Sequence, residues 1–368
     1  MQASPDEIKV EYFEEVSQLK SSWQALLEKS GQAAVFQTIE WHRAWLKSFS
    51  TAGRALFIQV TVGGIPTLLF PGFIRPVRQF GLSQNELSMI GSHNFASDSL
   101  SLIGDSHHRE ARLAIIEAIF SRDDWDFLRI NNLSSNSNFI REFCEVGAEK
   151  DTECFTGFAS ESPIIDLTNK TATDRIFSSR NSNRRLTRLI SKMEGRYVQY
   201  KEPEEIYRRL PGLFAMHTRQ WNLRQHQQFR DIEQQNFFKA LANEFSQKNI
   251  IRFNAIELKG QAIALHFGFE YGGRFTWYKP TYEHSYAKFS PGDVLLLLEI
   301  QNCLSRKIEI FDFGAGGEKY KHKFATSTPL LRQLEAFRSK PAKTYSFLRS
   351  LKRKVLSLSK LTDKRFYS

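Results

Sequence analysis

Cysteine is scarce in this chain, with three in 368 residues at positions 144, 154 and 303 and no Cys-x-x-Cys spacing. So odd and scattered a set argues against a disulfide framework or a thiolate metal site and fits a reducing compartment. No metal is expected. Long apolar runs are missing too. Stretches such as Val294–Leu298 fall far short of the about 20 residues that a membrane span needs. The leading segment MQASPDEIKVEYFEEV has neither the basic nor the apolar region of a secretion signal, so a cytoplasmic location is expected. Acidic residues are outnumbered, 40 against 51 Lys and Arg, for a net charge of +11. That surplus would suggest nucleic acid or anionic lipid as a partner. It is, however, local: from Arg338 onward ten basic residues face only Asp363, so the tail holds nine of the eleven charges. The body is nearly neutral, and the tail is separable from what the body does.

Apolar residues are plentiful. They make up 41% of the chain and include 31 Phe, enough for two packed cores. Phe13, Val16, Leu19, Trp23 and Leu26 recur at helical spacing. FQTIEWHRAWLKSF (36–49) predicts a second, aromatic helix capped by Thr38. ALFIQVTVGGIPTLLFPGFI reads as two strands about Gly63-Gly64. ELSMIG and SLSLIG read as short strands, 109–120 as a helix and 125–133 as a strand. A second cycle starts near Ser162. It has a strand in SPIIDL, a long basic helix over 172–195, a strand in YVQYKE, helices over 203–222 and 231–248, and three strands over 250–280. The shared order predicts two similar α/β units, 1–162 and 163–337, followed by a basic tail, 338–368.

The stretch FSPGDVLLLLEIQNCLSRKIEIFDFGAGGEKYK (289–321) holds the chemistry. Ser290 and Asp293 fit a capping box, and Pro291 suits a first helical turn. The same turn offers unpaired N–H groups and a helix dipole to an anion, with Gly292 allowing close approach. Asp293 opposes an anion unless it points to a cap or to another segment. On the following strand Ile308, Ile310 and Asp312 share one face, and Phe311 and Phe313 the other. Asp312 sits at the carboxyl end of that strand, where open α/β sheets bind ligands. It either anchors backbone N–H groups, the commoner fate of a buried acid, or serves as a catalytic carboxylate. Tyr320 is placed to donate a proton to a leaving thiolate, and Lys321 to neutralise a phosphate or carboxylate. His217 is a second candidate base, and it shares a helix face with Trp221.

SPGDVLL followed by IFDFGAGGEKYKHKF resembles the GNAT-fold acyltransferases of the bacterial cellulose-biosynthesis (CelD-like) branch, distant relatives of the Fem-type aminoacyltransferases. VFQTIEWHRAW (35–45), SSRNSNRRLTRLISKMEG (178–195) and MHTRQW (216–221) are similar to other parts of that family. The resemblance covers about residues 30–327. It implies an α/β (α+β) fold of two tandem GNAT-like units, each a mixed central sheet flanked by helices. It further implies direct acyl transfer from acyl-CoA or acetyl-CoA to an amine or hydroxyl in polysaccharide or cell-envelope metabolism. Ser290, Pro291 and Gly292 would correspond to the pyrophosphate loop. Arg274–Pro280, Tyr278 among them, would run beside the donor's pantetheine arm, and Phe311–Gly314 would line the acceptor side. The loop has one glycine and an acid where the wider fold usually has several glycines and a base.

No GxSxG or catalytic cysteine signature is present, which is consistent with direct attack on a thioester. Two other readings stand beside this one. The basic helix with Arg184, Arg188 and Lys192 on one face would serve a Fem-like transferase using aminoacyl-tRNA, the only nucleic acid expected. A non-catalytic adaptor at a membrane synthase would use the tail. The acceptor is expected to be a small molecule or saccharide, and the tail to make at most weak contact with anionic membrane at the inner face.

Overall fold

A computed structural model describes residues 7–347 except 32–33, 80, 95, 136–137, 222–228, 230, 340–341 and 345, and for 79, 181–183 and 221 the backbone alone. Residues 348–368, most of the basic tail, lie outside the described residues. No helix among the described residues is long and apolar enough to cross a membrane.

The first unit runs β1 (Ile8–Phe13), α1 (Lys20–Lys29), α2 (Ile39–Phe49), β2 (Arg54–Val62), β3 (Ile65–Gln79), β4 (Leu82–Met89), β5 (Ile103–Gly104), α3 (Arg109–Phe120), β6 (Phe127–Ser134), α4 (Phe139–Glu149) and β7 (Glu153–Glu161). Thr38 caps α2 as its position predicts, its hydroxyl accepting the Trp41 N–H at 3.3 Å. Gly63 and Gly64 both take positive φ, the backbone that a tight two-residue hairpin demands. The second unit runs β8 (Ile164–Asp166), α5 (Lys170–Ser178), α6 (Arg180–Leu186), β9 (Arg196–Tyr200), α7 (Pro203–Trp221), α8 (Ile232–Glu244), β10 (Ile251–Leu258), β11 (Gln261–Tyr271), β12 (Arg274–Tyr282), α9 (Pro291–Ser305), β13 (Ile310–Asp312) and α10 (Lys319–His322). One strand, β14 (Leu330–Phe337), follows.

Two mixed sheets flanked by helices result. The first is ordered β1-β2-β3-β4-β6-β14-β7, with β5 beside β3; the second is ordered β8-β13-β12-β11-β10-β9. Each sheet has four antiparallel strands and then one parallel step reached through a helix. That step is β4 to β6 through α3, and β12 to β13 through α9. The repeated order is the architecture expected from the sequence.

Three local expectations are corrected. Leu330–Phe337 was expected in the second unit, but it pairs with β6 and β7 in the first sheet. Its Leu331, Leu334 and Ala336 are buried, and Phe337 stacks on Phe127. The basic segment 172–195 is not one helix. It breaks at the extended Ser179, and residues 187–192 form a π-helical turn. A wider turn ends the simple i, i+4 row that put Arg184, Arg188 and Lys192 on one face. Ser290 does not cap α9 with its side chain; it is left-handed (φ 52°, ψ 52°) and makes no cap bond.

The two units share a core. Trp41 is fully buried and meets Phe237, Phe269 and Tyr278 edge-on, with ring centroids 5.2, 5.6 and 5.9 Å away. Aromatic pairs in this geometry add to the area they bury. The Tyr278 hydroxyl donates to the Ala96 carbonyl across the seam at 2.6 Å. The middle of β12, at Tyr278, and the Gly314 turn after β13, packed under Asp98, therefore face the first unit across the seam.

Candidate functional site at the seam of the two units

β12 and β13 pair only at Arg274–Thr276 with Ile310–Asp312. Beyond Thr276 no strand among the described residues lies against that edge of β12. At the same point β12 carries a bulge: Phe267 opposes Lys279 and Phe269 opposes Thr276, so Trp277 and Tyr278 together face Gly268. An opening between parallel strands, with a bulge on one lip, exposes backbone N–H and C=O groups that a ligand can use.

On one flank of the opening lies the turn before α9. Its hydrogen-bond ladder begins with Val294 N–H donating to the Ser290 carbonyl at 3.1 Å, so the amides of Gly292 and Asp293 lie ahead of it. Pro291 is buried at the first helical position, as expected. Asp293 does not cap the helix; it forms an ion pair with Arg185 of α6. The acid that counted against an anion site is thus neutralised by a cation brought from the basic segment. Arg188 lies over the Phe289 ring at 4.7 Å and Lys288 at 5.1 Å, adding positive charge beside the turn. In the first unit the corresponding helix, α3, is closed: the His108 side chain accepts the Ala111 N–H at 3.3 Å.

On the other flank, facing the first unit, stand Asp98, Lys279 and Lys321. Asp98 lies in the loop after β4, its carboxyl packed over Gly314. A Cβ at Gly314 would meet Asp98 Oδ2 at 2.2 Å, and Gly314 has φ +68°. Burial pushes the Asp98 carboxyl up to about 6, opposed by Lys279 and Lys321, helped by Asp312 and opposed again by the Ala315 N–H. Asp98 and Lys279 are deeply set, yet each is still partly touched by solvent. Burial also pushes the Lys279 ammonium below its ordinary range, with Asp98 the main opposing charge. Its Nζ sits 4.3 Å from the Tyr278 ring centre. Lys321, expected to meet a ligand's charge, is 3% exposed and committed to protein. It donates to the Ala315 carbonyl at 3.0 Å and pairs with Glu318 at 2.8 Å.

Asp312 behaves as the anchor of the two roles weighed for it. Its Oδ2 accepts from Arg274 at 2.8 Å and its Oδ1 from the Gly314 N–H at 2.8 Å. Removing one partner of such a pair strands the other. Asp312→Asn is therefore expected to cost about 3 kcal/mol of unfolding free energy in a denaturant titration. A change within about 0.5 kcal/mol would show that the carboxylate anchors nothing.

The other expected residues separate. Tyr320 sits on the α9 flank, its ring edge-on to Phe313 at 6.2 Å. Burial, then the charge of Glu318, pushes its hydroxyl well up, so it stays protonated. His217 is buried, edge-on to Phe229 at 4.6 Å, and burial followed by the Lys279 charge lowers it to about 3. So weak a base is poorly matched to taking a proton near neutral pH. The Trp221 side chain lies outside the described residues. Tyr278 faces the seam, with its ring in the shared core and its hydroxyl on the Ala96 carbonyl. Asp98 escaped sequence reasoning. It lies in a polar loop, NFASDSL, of the first unit, with no local signature.

Comparison with known proteins bears on this geometry. Residues 178–322 match the sequence model of an acetyltransferase (GNAT) domain. The match takes in α9, the opening of β12 from β13 and α10, and leaves Asp98 outside. No curated protein matches the chain. Among solved structures, FemX superposes with a TM-score of 0.62 at 10% identity, over 92% of this chain and 99% of its own. A protein of unknown function from Bacteroides thetaiotaomicron VPI-5482 gives 0.56 at 12%, over 89% and 100%. The C-terminal DUF2156 domain of a proposed lysylphosphatidylglycerol synthetase from Agrobacterium fabrum gives 0.54 at 11%, over 92% and 96%. At such identities the likeness is one of fold. The GNAT domain match falls on the second unit, and the first repeats its strand order.

Proposed function

We propose that this protein is an acyltransferase that moves an acyl group directly from a coenzyme A thioester to an amine or hydroxyl at the seam of its two units. The observation that carries the reading is the opening beyond Thr276. It has an anion-ready turn with a compensating Arg185 on one flank and a carboxyl lifted to about 6 on the other. Donor phosphates would sit at Gly292 and Asp293 N–H, within reach of the charges of Arg188 and Lys288. The thioester carbonyl would lie against the open edge of β12.

The chemistry then follows in order. The acceptor's lone pair bonds to the carbonyl carbon as Asp98 takes its proton. Negative charge collects on the carbonyl oxygen, where backbone N–H groups of a preorganised strand edge stabilise it. The intermediate collapses, the C–S bonding pair leaves with sulfur, and the Tyr320 O–H, which stays protonated, donates a hydrogen bond to the thiolate. Solvent gives the thiolate its proton and takes the acceptor's proton from Asp98. The CelD-like resemblance of the sequence favours a saccharide or cell-envelope acceptor.

An aminoacyl-tRNA donor is the second reading. It is kept by the likeness to FemX across nearly the whole chain and by the basic α6 beside the donor turn. Incubation with acetyl-CoA or a longer acyl-CoA plus an amino-sugar acceptor is expected to release thiol only when acceptor is present, and to add the acyl mass to it. Transfer from aminoacyl-tRNA alone would carry the second reading, and no transfer from either donor class would overturn direct transfer.

A further inference from the structure

One buried side chain touches the bulge of β12 from behind. His266 of β11 is fully buried, and its Nε2 accepts the Tyr278 N–H at 3.2 Å. The imidazole stacks on Trp277, with ring centroids 3.9 Å apart and planes 14° from parallel. Gly268 makes room for it: a Cβ there would lie 2.4 Å from His266 Cε1 and 2.5 Å from Nε2. Two residues of β12, Trp277 and Tyr278, oppose this single glycine, so the regular exchange of backbone bonds fails here. A side-chain nitrogen stands in the ladder where a strand carbonyl would.

The other ring nitrogen, Nδ1, is buried and has no hydrogen-bond partner among the described residues. Nε2 accepts the Tyr278 amide only while it keeps its lone pair, so the contact requires a neutral ring. Burial holds the ring neutral, with a hydrogen bond to the Thr276 carbonyl opposing.

Resting on the transfer reading above, we propose that His266 is a positioning residue, which locks the bulge of β12 and so fixes the open strand edge against which the activated carbonyl lies. It touches neither donor nor acceptor and moves no proton. Its effect passes through Tyr278 and Trp277 to the backbone beyond Thr276.

The test compares His266→Phe, which keeps a ring on Trp277 but removes the acceptor, with His266→Gln, whose Oε1 reaches about as far as Nε2. His266→Phe is expected to lower kcat about 10- to 100-fold, as misplacement of a reacting group does. Donor KM should stay within about twofold, the pattern of an interaction felt only in the transition state. The pH at which the rate rises should not move, and His266→Gln should recover most of the loss. Hydrogen exchange of the peptide spanning β12 gives a readout that needs no turnover. Amides of Trp277–Lys279 should exchange faster in the Phe variant and at the wild-type rate in the Gln variant. Unchanged exchange in the Phe variant overturns the proposal, as does an equal loss of kcat in both variants that tracks their melting temperatures. Absence of transfer by the wild type would instead count against the transfer reading, and the exchange comparison would still decide whether His266 holds the bulge.

Discussion

Asp98→Asn is expected to lower kcat by about 10²- to 10⁴-fold, the usual share of a positioned general base. Donor affinity should stay unchanged. The amide keeps the shape of the carboxyl over Gly314 but cannot take the acceptor's proton. The wild-type rate should rise with pH through about 6, because only ionised Asp98 is a base. Stability moves in the opposite sense. The folded-state pKa lies above the ordinary carboxyl value, so protonated Asp98 favours the fold at acid pH and that advantage is lost as pH rises through about 6. At pH 7 the Asn variant escapes the cost of a buried charge and should melt no lower than wild type. Lost turnover at full stability sets Asp98 apart from Asp312, whose replacement should weaken the fold. A wild-type rate in the Asn variant would place the base elsewhere.

Gly292→Trp is expected to weaken donor binding at the other flank about 100-fold. The backbone passes so close to Tyr282 that a Cβ at 292 would sit 3.2 Å from that ring, and an indole would be turned over the first turn of α9. Two amides would then be covered. Hydrogen bonds to a charged group contribute about 1.5 kcal/mol each, so losing both weakens binding by about 3 kcal/mol, or roughly 100-fold. The residue is half-exposed, and the wide side chain can reach solvent without entering the core. Retained affinity in a folded Gly292→Trp protein would move the donor away from this turn.

The parts of the site that are contiguous in the chain were legible in the sequence. The turn Ser290–Gly292, the apolar helix after it, and the strand ending at Asp312 announce themselves through proline, glycine and alternation. Legible in the same way were the Thr38 cap and the Gly63-Gly64 hairpin. What could not be read was anything set by contact between the units. The Tyr278–Ala96 hydrogen bond spans 182 positions, and Asp98 reaches Gly314 only because the seam closes. Arg185 and Asp293 are 108 positions apart, and each looked unfavourable or bland alone. β14 has the alternation of a strand but no mark of which sheet it joins. The π turn at 187–192 has no sequence signature, and it shifted the predicted basic face.

The direct test is the melting temperature of the purified protein with coenzyme A, acetyl-CoA and a longer acyl-CoA, beside Gly292→Trp. A ligand that binds only the folded state must raise it, by an amount set by its concentration relative to Kd. A rise in wild type and in Asp98→Asn that vanishes in Gly292→Trp is the result this account predicts. No rise with any thioester at saturating concentration, or a rise that survives in Gly292→Trp, would contradict it.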